Sequence, residues 1–265
     1  MSSYTDEEIY AILAEVSYQK TNEERRELLH NHYGLVDYVV DENLSSENSA
    51  VILTPDGDTV ISYRGTDPHN ISDLVADVNI ALGFQHFEIT KPERFKEAEE
   101  TYMKTKEKYP YRPIKVSSHS LGASQGLMIA KNFGLEGYHF NIGASVMDSA
   151  LQVKNFVNCY RNGDDSCEIL KKQNFYTTAK DPISIAMLPR LTNMFGKENV
   201  NFVQPKKKLD LFNHSLAHFL PDVSSSPIRE KDKMKNPIKY KIFETESNPF
   251  CREFPNDPRC SHLKN

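Results

Sequence analysis

The chain has 265 residues, a formal net charge of −5 and 38% hydrophobic residues, with 14 Phe, 13 Tyr and no Trp. That length supports one large core, and the charge balance offers no basic stripe for nucleic acid; the densest run, Lys206-Lys207-Lys208, reads as a solvated loop. No apolar stretch approaches the roughly 20 residues that span a bilayer, and the acidic, helix-patterned start MSSYTDEEIYAILAEVSYQK does not read as a secretory signal, so the cytoplasm is the default compartment.

In chain order, Thr5 with Glu8 forms a capping box ahead of Ile9, Ile12, Leu13 and Val16 at helical spacing. Thr21 with Glu24 repeats the signature before Leu28 and Leu29. A helical hairpin is expected over about residues 5–32, then a strand from Leu35 to Val40. Val51 to Leu53, the turn Pro55-Asp56-Gly57-Asp58 and Thr59 to Tyr63 read as a β-hairpin. Its second strand runs into Arg64-Gly65-Thr66-Asp67, and SDLVADVNI follows.

Residues 91–108 carry Phe95, Ala98 and Tyr102 at helical intervals, and Tyr109-Pro110 ends the pattern. A short strand, Ile114 to Ser117, precedes a helix from Leu121 to Phe133, capped by Gly134. Further strands are expected at Tyr138 to Ile142, Phe175 to Thr178 and Val200 to Val203. Residues 146–170 read as an insertion. From Pro221 the composition turns to Ser, Pro, Lys and Asn, which divides the chain into a domain over 1–221 and a polar extension over 222–265 with at most one strand, near Ile238 to Phe243.

Strands alternating with helices imply an α/β fold with a mostly parallel sheet, whose chemistry gathers at the carboxyl ends of the strands. There the segment VSSHSLGASQG places Ser120 between a strand and a helix, flanked by small residues. A nucleophilic serine on so sharp a turn needs small neighbours two residues before and after, and Ser118 and Gly122 fill those positions. Ser118 stands where glycine is usual; it predicts a slightly strained or widened elbow, and Ser118→Gly is expected to keep activity.

A serine hydroxyl also needs a base, a group that orients the base, and donors for the oxyanion. Ser120, Asp181 and His214 occur in the order nucleophile, acid, base. Asp148 is the rival acid. His218, four residues after His214, is assigned to packing or capping. The backbone N–H of Leu121 is the first oxyanion donor, and Thr66, at an earlier strand end, the second. His119 shapes the elbow. No C-x-x-C or H-E-x-x-H pattern is present, so neither metal nor cofactor is expected.

At these residues the chain resembles the class 3, fungal-type lipase family of α/β hydrolases. Ile61 to Thr66 resembles the family's strand ending in Arg-Gly-Thr/Ser. Ser72 to Asp77 resembles its Asn-Trp-x-x-Asp segment without the Trp, and Ser118 to Gly122 its Gly-His-Ser-Leu-Gly elbow. The resemblance spans roughly residues 30–220. It implies an α/β-hydrolase fold and hydrolysis of lipid or small esters through an acyl-enzyme on Ser120. Asp181 and His214 would complete the triad, Thr66 the oxyanion hole, and Asp77 would support its loop.

The family's apolar lid would fall between Ala81 and Lys91, where Phe84 and Phe87 are expected to contact substrate. So short an interval implies a small flap, a site open to short or single-chain esters or phospholipids, and at most peripheral contact with a membrane or micelle surface. Two other readings stay open: a catalytically inactive lipase-like scaffold that binds a partner or lipid, and a thioesterase or acyltransferase using the same machinery. The pairs Cys159/Cys167 and Cys251/Cys260 suit short-loop disulfides, whereas a cytoplasmic chain keeps thiols reduced; both alternatives stand.

Overall fold

The computed structural model describes residues 4–65, 93–142, 168, 171–179, 181, 192, 197–205 and 215–221. Two helices open the chain, α1 (Asp6–Val16) and α2 (Asn22–Glu27), and α2 continues into a π-helical turn, Leu28–His32. Both expected capping boxes form. Each threonine hydroxyl accepts the amide three residues on, Glu8 or Glu24, and that glutamate returns to the threonine amide at 3.0 or 2.9 Å. Two otherwise unpaired amides are satisfied at each helix start, which fixes where the helices begin.

The sheet has seven strands in the order β1 (Val39–Val40), β2 (Ser49–Leu53), β3 (Thr59–Tyr63), β4 (Ile114–His119), β5 (Glu136–Phe140), β6 (Gln173–Thr178) and β7 (Val200–Val203). The β1–β2 and β2–β3 pairs are antiparallel; from β3 to β7 every pair is parallel. Helix α3 (Glu93–Lys108) connects β3 to β4, and α4 (Leu121–Phe133) connects β4 to β5. Both crossovers step the same way along the sheet, so both helices fall on one face. There Ala98 and Tyr102 of α3 and Ile129 and Ala130 of α4 bury Val51, Ile61, Tyr63 and Val116. Helix α1 covers the other face, where Ile12, Leu13 and Val16 pack with Ala50, Ile52, Val60, Tyr138 and Phe140. The strand period of two sends Val51 to one core and Ile52 to the other.

Two expected strands differ. The Leu35–Val40 run forms a strand only at Val39–Val40. Gly34 turns the chain at φ 69, the Tyr38 amide closes a turn on the Leu35 carbonyl at 3.2 Å, and Leu35 and Tyr38 enter the core from that turn instead of from a ladder. The Tyr138–Ile142 strand lies two residues earlier. Asn141 adopts φ 42, a left-handed conformation that asparagine tolerates, and ends β5 at Phe140. Its side chain takes over the pairing, accepting the Thr178 amide at 2.8 Å and donating to the Thr178 hydroxyl at 3.1 Å.

The segments SDLVADVNI, 146–167 and 222–265, with all four cysteines, lie outside the described residues. Among the described residues no helix is long and apolar enough to cross a membrane.

Candidate active site

Ser120 sits where β4 gives way to α4, as the sequence predicts. Its backbone is at φ 57, ψ −128, a region that L-residues rarely adopt and that stores on the order of 1–3 kcal/mol. Three contacts hold it there. The Ser120 amide donates to the Phe140 carbonyl at 3.1 Å, its carbonyl accepts the Ala123 amide at 3.0 Å, and the start of α4 lies against the end of β3. A Cβ on Gly122 would come within 2.3 Å of the Tyr63 carbonyl oxygen, and one on Gly65 within 2.8 Å of the Ser120 Cβ. Neither position has room for a side chain. The sharp turn leaves Ser120 half-buried, while Ser117, Ser118 and His119 before it are buried.

The expected donor from Leu121 belongs to the first turn of α4. A helix leaves its first amides without intrahelical acceptors, and the positive end of its dipole favours developing negative charge. Gly65, one residue before Thr66, has its place fixed at the end of β3. The Arg64 amide donates to the Asn48 carbonyl at 2.9 Å, and the Arg64 carbonyl accepts from Arg94 at 2.7 Å. Thr66 itself lies outside the described residues, as do Asp77, Phe84, Phe87, Asp148 and His214.

Asp181 is fully buried three residues beyond β6, in a turn whose amide donates to the Thr178 carbonyl at 3.1 Å. Strands β4 and β6 are separated by β5 alone. At about 4.8 Å per strand step, their carboxyl ends are roughly 10 Å apart.

The segment directly after His214 docks at this same end of the sheet. Ser215 caps a 3-10 turn, Leu216–His218, and Phe219 packs on Phe140 with ring centroids 5.2 Å apart. Phe140 is the residue whose carbonyl receives the Ser120 amide. His218 is buried in this 3-10 turn.

Ser118 behaves differently from expectation. Its hydroxyl is bonded 2.7 Å from His139 Nδ1, and His139 Nε2 lies 3.0 Å from the Gln173 side-chain oxygen. Gln173 in turn donates to the Leu135 carbonyl at 2.8 Å. Since the Gln173 oxygen only accepts, His139 carries its proton on Nε2 and the Ser118 hydroxyl donates to Nδ1. Burial pushes the His139 imidazole down to about 4, opposed by the Gln173 bond.

The chain of bonds crosses β4, β5 and β6 beneath the elbow. Space for it comes from Gly126 of α4, where a Cβ would lie 2.7 Å from the Ser118 hydroxyl oxygen. The two extra atoms at 118 are accommodated by a glycine across the helix interface. Nothing in the local sequence around Ser118 signals His139 or Gln173. Among the described residues no group of His, Cys, Asp or Glu is placed to hold a metal ion.

No protein-family model matches the sequence, and no curated protein does. Several solved structures are similar to it. Lipase II from Rhizopus niveus is 14% identical, with a TM-score of 0.42 over 70% of this chain and 74% of its own. Lip2 lipase from Yarrowia lipolytica is 16% identical, with a TM-score of 0.42 over 78% of this chain and 81% of its own. M37 lipase is 14% identical, with a TM-score of 0.45 over 89% and 85%. Likenesses of this size bear on neither activity nor substrate.

The parallel strands β3 to β7, the helices on both faces and the strained serine at a strand-to-helix turn are this chain's own geometry. They give it the α/β-hydrolase fold.

Proposed function

We propose that this protein is a serine carboxylic-ester hydrolase that acts on lipid or small esters through an acyl-enzyme on Ser120. The observation that carries the reading is the backbone of Ser120, held at φ 57 by the close approach of the β3 end to the start of α4. Strain of this kind persists only where the surroundings over-determine it, and it lifts a hydroxyl out of the strand onto a helix N-terminus.

In the proposed reaction His214 takes the Ser120 proton as the hydroxyl oxygen attacks the ester carbonyl. The oxyanion is held by the Leu121 N–H and by Thr66. His214 then protonates the leaving alcohol, and water hydrolyses the acyl-enzyme by the reverse proton path. Asp181 orients the imidazole. A gap of roughly 10 Å between the β4 and β6 ends is one that a single imidazole with its two hydrogen bonds fills. Residues 1–221 form the hydrolase domain in this proposal and 222–265 a polar extension.

Labelling with a fluorophosphonate probe tests the reading. The wild type is expected to label and Ser120→Ala not to; absence of wild-type labelling, or equal labelling of both, favours the inactive scaffold instead. The short Ala81–Lys91 interval, with Phe84 and Phe87 against the acyl chain, is proposed as a small flap. Hydrolysis of a soluble ester is then expected to rise smoothly through its aggregation limit, and a large jump in rate there would reject the flap.

A further inference from the structure

Tyr18 lies just beyond α1, far in sequence from either part of the site. Its hydroxyl nevertheless stands between the two. It accepts the Gly65 amide at 3.1 Å and lies 2.6 Å from Nδ1 of His119. The Tyr18 and His119 rings meet edge to face with centroids 5.7 Å apart. Gly65 precedes the expected oxyanion residue Thr66, and His119 precedes the nucleophile. One oxygen therefore touches the strand end that leads to the oxyanion loop and the residue that leads to the elbow. The fit is close: a Cβ on Gly65 would lie 2.7 Å from this oxygen.

We propose that Tyr18 is a positioning residue that fixes the Arg64–Gly65 peptide relative to Ser120, and so sets where the chain leaves β3 toward the second oxyanion donor. The proposal rests on the hydrolase reading above. Glycine has two soft backbone angles and no side chain to limit them. Unless its amide is held, Gly65 leaves the end of β3 free to shift relative to the elbow, and with it the start of the proposed oxyanion loop. A phenol oxygen accepting the Gly65 N–H fixes the preceding peptide plane. Its second contact, to His119, references that plane to the elbow. Oxyanion donors act only when held about 3 Å from the developing charge, and loosening them lowers the chemical step more than substrate binding.

Tyr18→Phe removes one oxygen and keeps the ring. On a soluble chromogenic ester, kcat is expected to fall about 10- to 100-fold, with KM within about twofold of wild type. The melting temperature should stay within a few degrees, and hydrogen exchange of the Gly65 amide should quicken. A wild-type kcat overturns the proposal. So does a loss of activity that tracks a lowered melting temperature or a raised KM, which marks a merely structural tyrosine.

Fluorophosphonate labelling of the wild type is run alongside. If the wild type is inert, the hydrolase reading fails and with it the catalytic role of Tyr18. Unchanged Gly65 exchange in Tyr18→Phe, with the wild type active, refutes the tether alone.

Discussion

Two serines two residues apart, Ser118 and Ser120, lie on opposite sides of the same elbow, and they have opposite surroundings. Ser118 is in regular strand, fully buried, and donates to a neutral histidine that in turn donates to a glutamine. Ser120 is half-buried, strained, and stands at a helix N-terminus at the carboxyl edge of the sheet. By partner chemistry alone, Ser118–His139–Gln173 looks the more like a relay. It lacks everything else a nucleophile needs: access, a bent backbone, and helix amides facing its oxygen. A serine hydrogen-bonded to a histidine thus identifies nothing by itself; backbone strain at a strand end separates the two.

The largest expected effect breaks this comparison outright. Ser120→Ala should lower ester hydrolysis by about a thousandfold or more and abolish probe labelling. Ser118→Ala should leave labelling of the folded protein intact. Ser120→Gly carries the contrast into stability. Glycine tolerates the φ and ψ found there, so the inactive variant is expected to be more stable by about 1–2 kcal/mol, after allowing for the greater entropy of unfolded glycine. Thermal melts of the two Ser120 variants check this, and an unchanged or lower midpoint for Ser120→Gly denies the strain.

The same contrast explains what the sequence discloses. Features set within a few residues are legible: both capping boxes, the β2–β3 hairpin, the bounds of α4, and the Gly134 cap at φ 70. The elbow belongs with them, because small residues flanking Ser120 are a local requirement. Contacts set across the fold are not legible. Tyr18 meets His119 across 101 residues, and Ser118, His139 and Gln173 come together only because β4, β5 and β6 are neighbours. The end of β5 is hidden for a related reason. Tyr138, Phe140 and Ile142 alternate as a strand would, but Asn141 binds Thr178 on the next strand and turns the chain.

An intermediate effect concerns acid. The His139 imidazole titrates near 6.5 when unfolded and near 4 when folded, because burial disfavours its charged form. Between those values the unfolded chain binds a proton that the folded chain does not. The contribution is complete above about pH 6.5 and is lost as pH falls toward 4, by about 3 kcal/mol in all. His139→Gln should be less stable at pH 7 yet lose this part of the slope. Denaturant midpoints from pH 7 to 4 compare the two, and parallel slopes would show that His139 is not the group responsible.

The smallest effect is the sharpest test of how the two serines differ. Ser118→Gly restores the residue usual two places before a nucleophile, and on sequence alone it is neutral. The structure attaches a cost to it. Nδ1 of a buried, neutral His139 loses its donor, and a buried acceptor left unsatisfied costs about 1–3 kcal/mol. Gly126 then faces the vacated space; Gly126→Ala, whose Cβ would otherwise press on the Ser118 oxygen at 2.7 Å, refills that space but supplies no donor to Nδ1, so it is expected to recover packing alone. Turnover per folded molecule should stay at the wild-type level, because the Ser118 side chain lies beneath the elbow and does not set the angle of Ser120. A Ser118→Gly protein of wild-type stability would mean that the buried chain of bonds contributes nothing. One with normal stability and lowered kcat would return the strain of the elbow to Ser118.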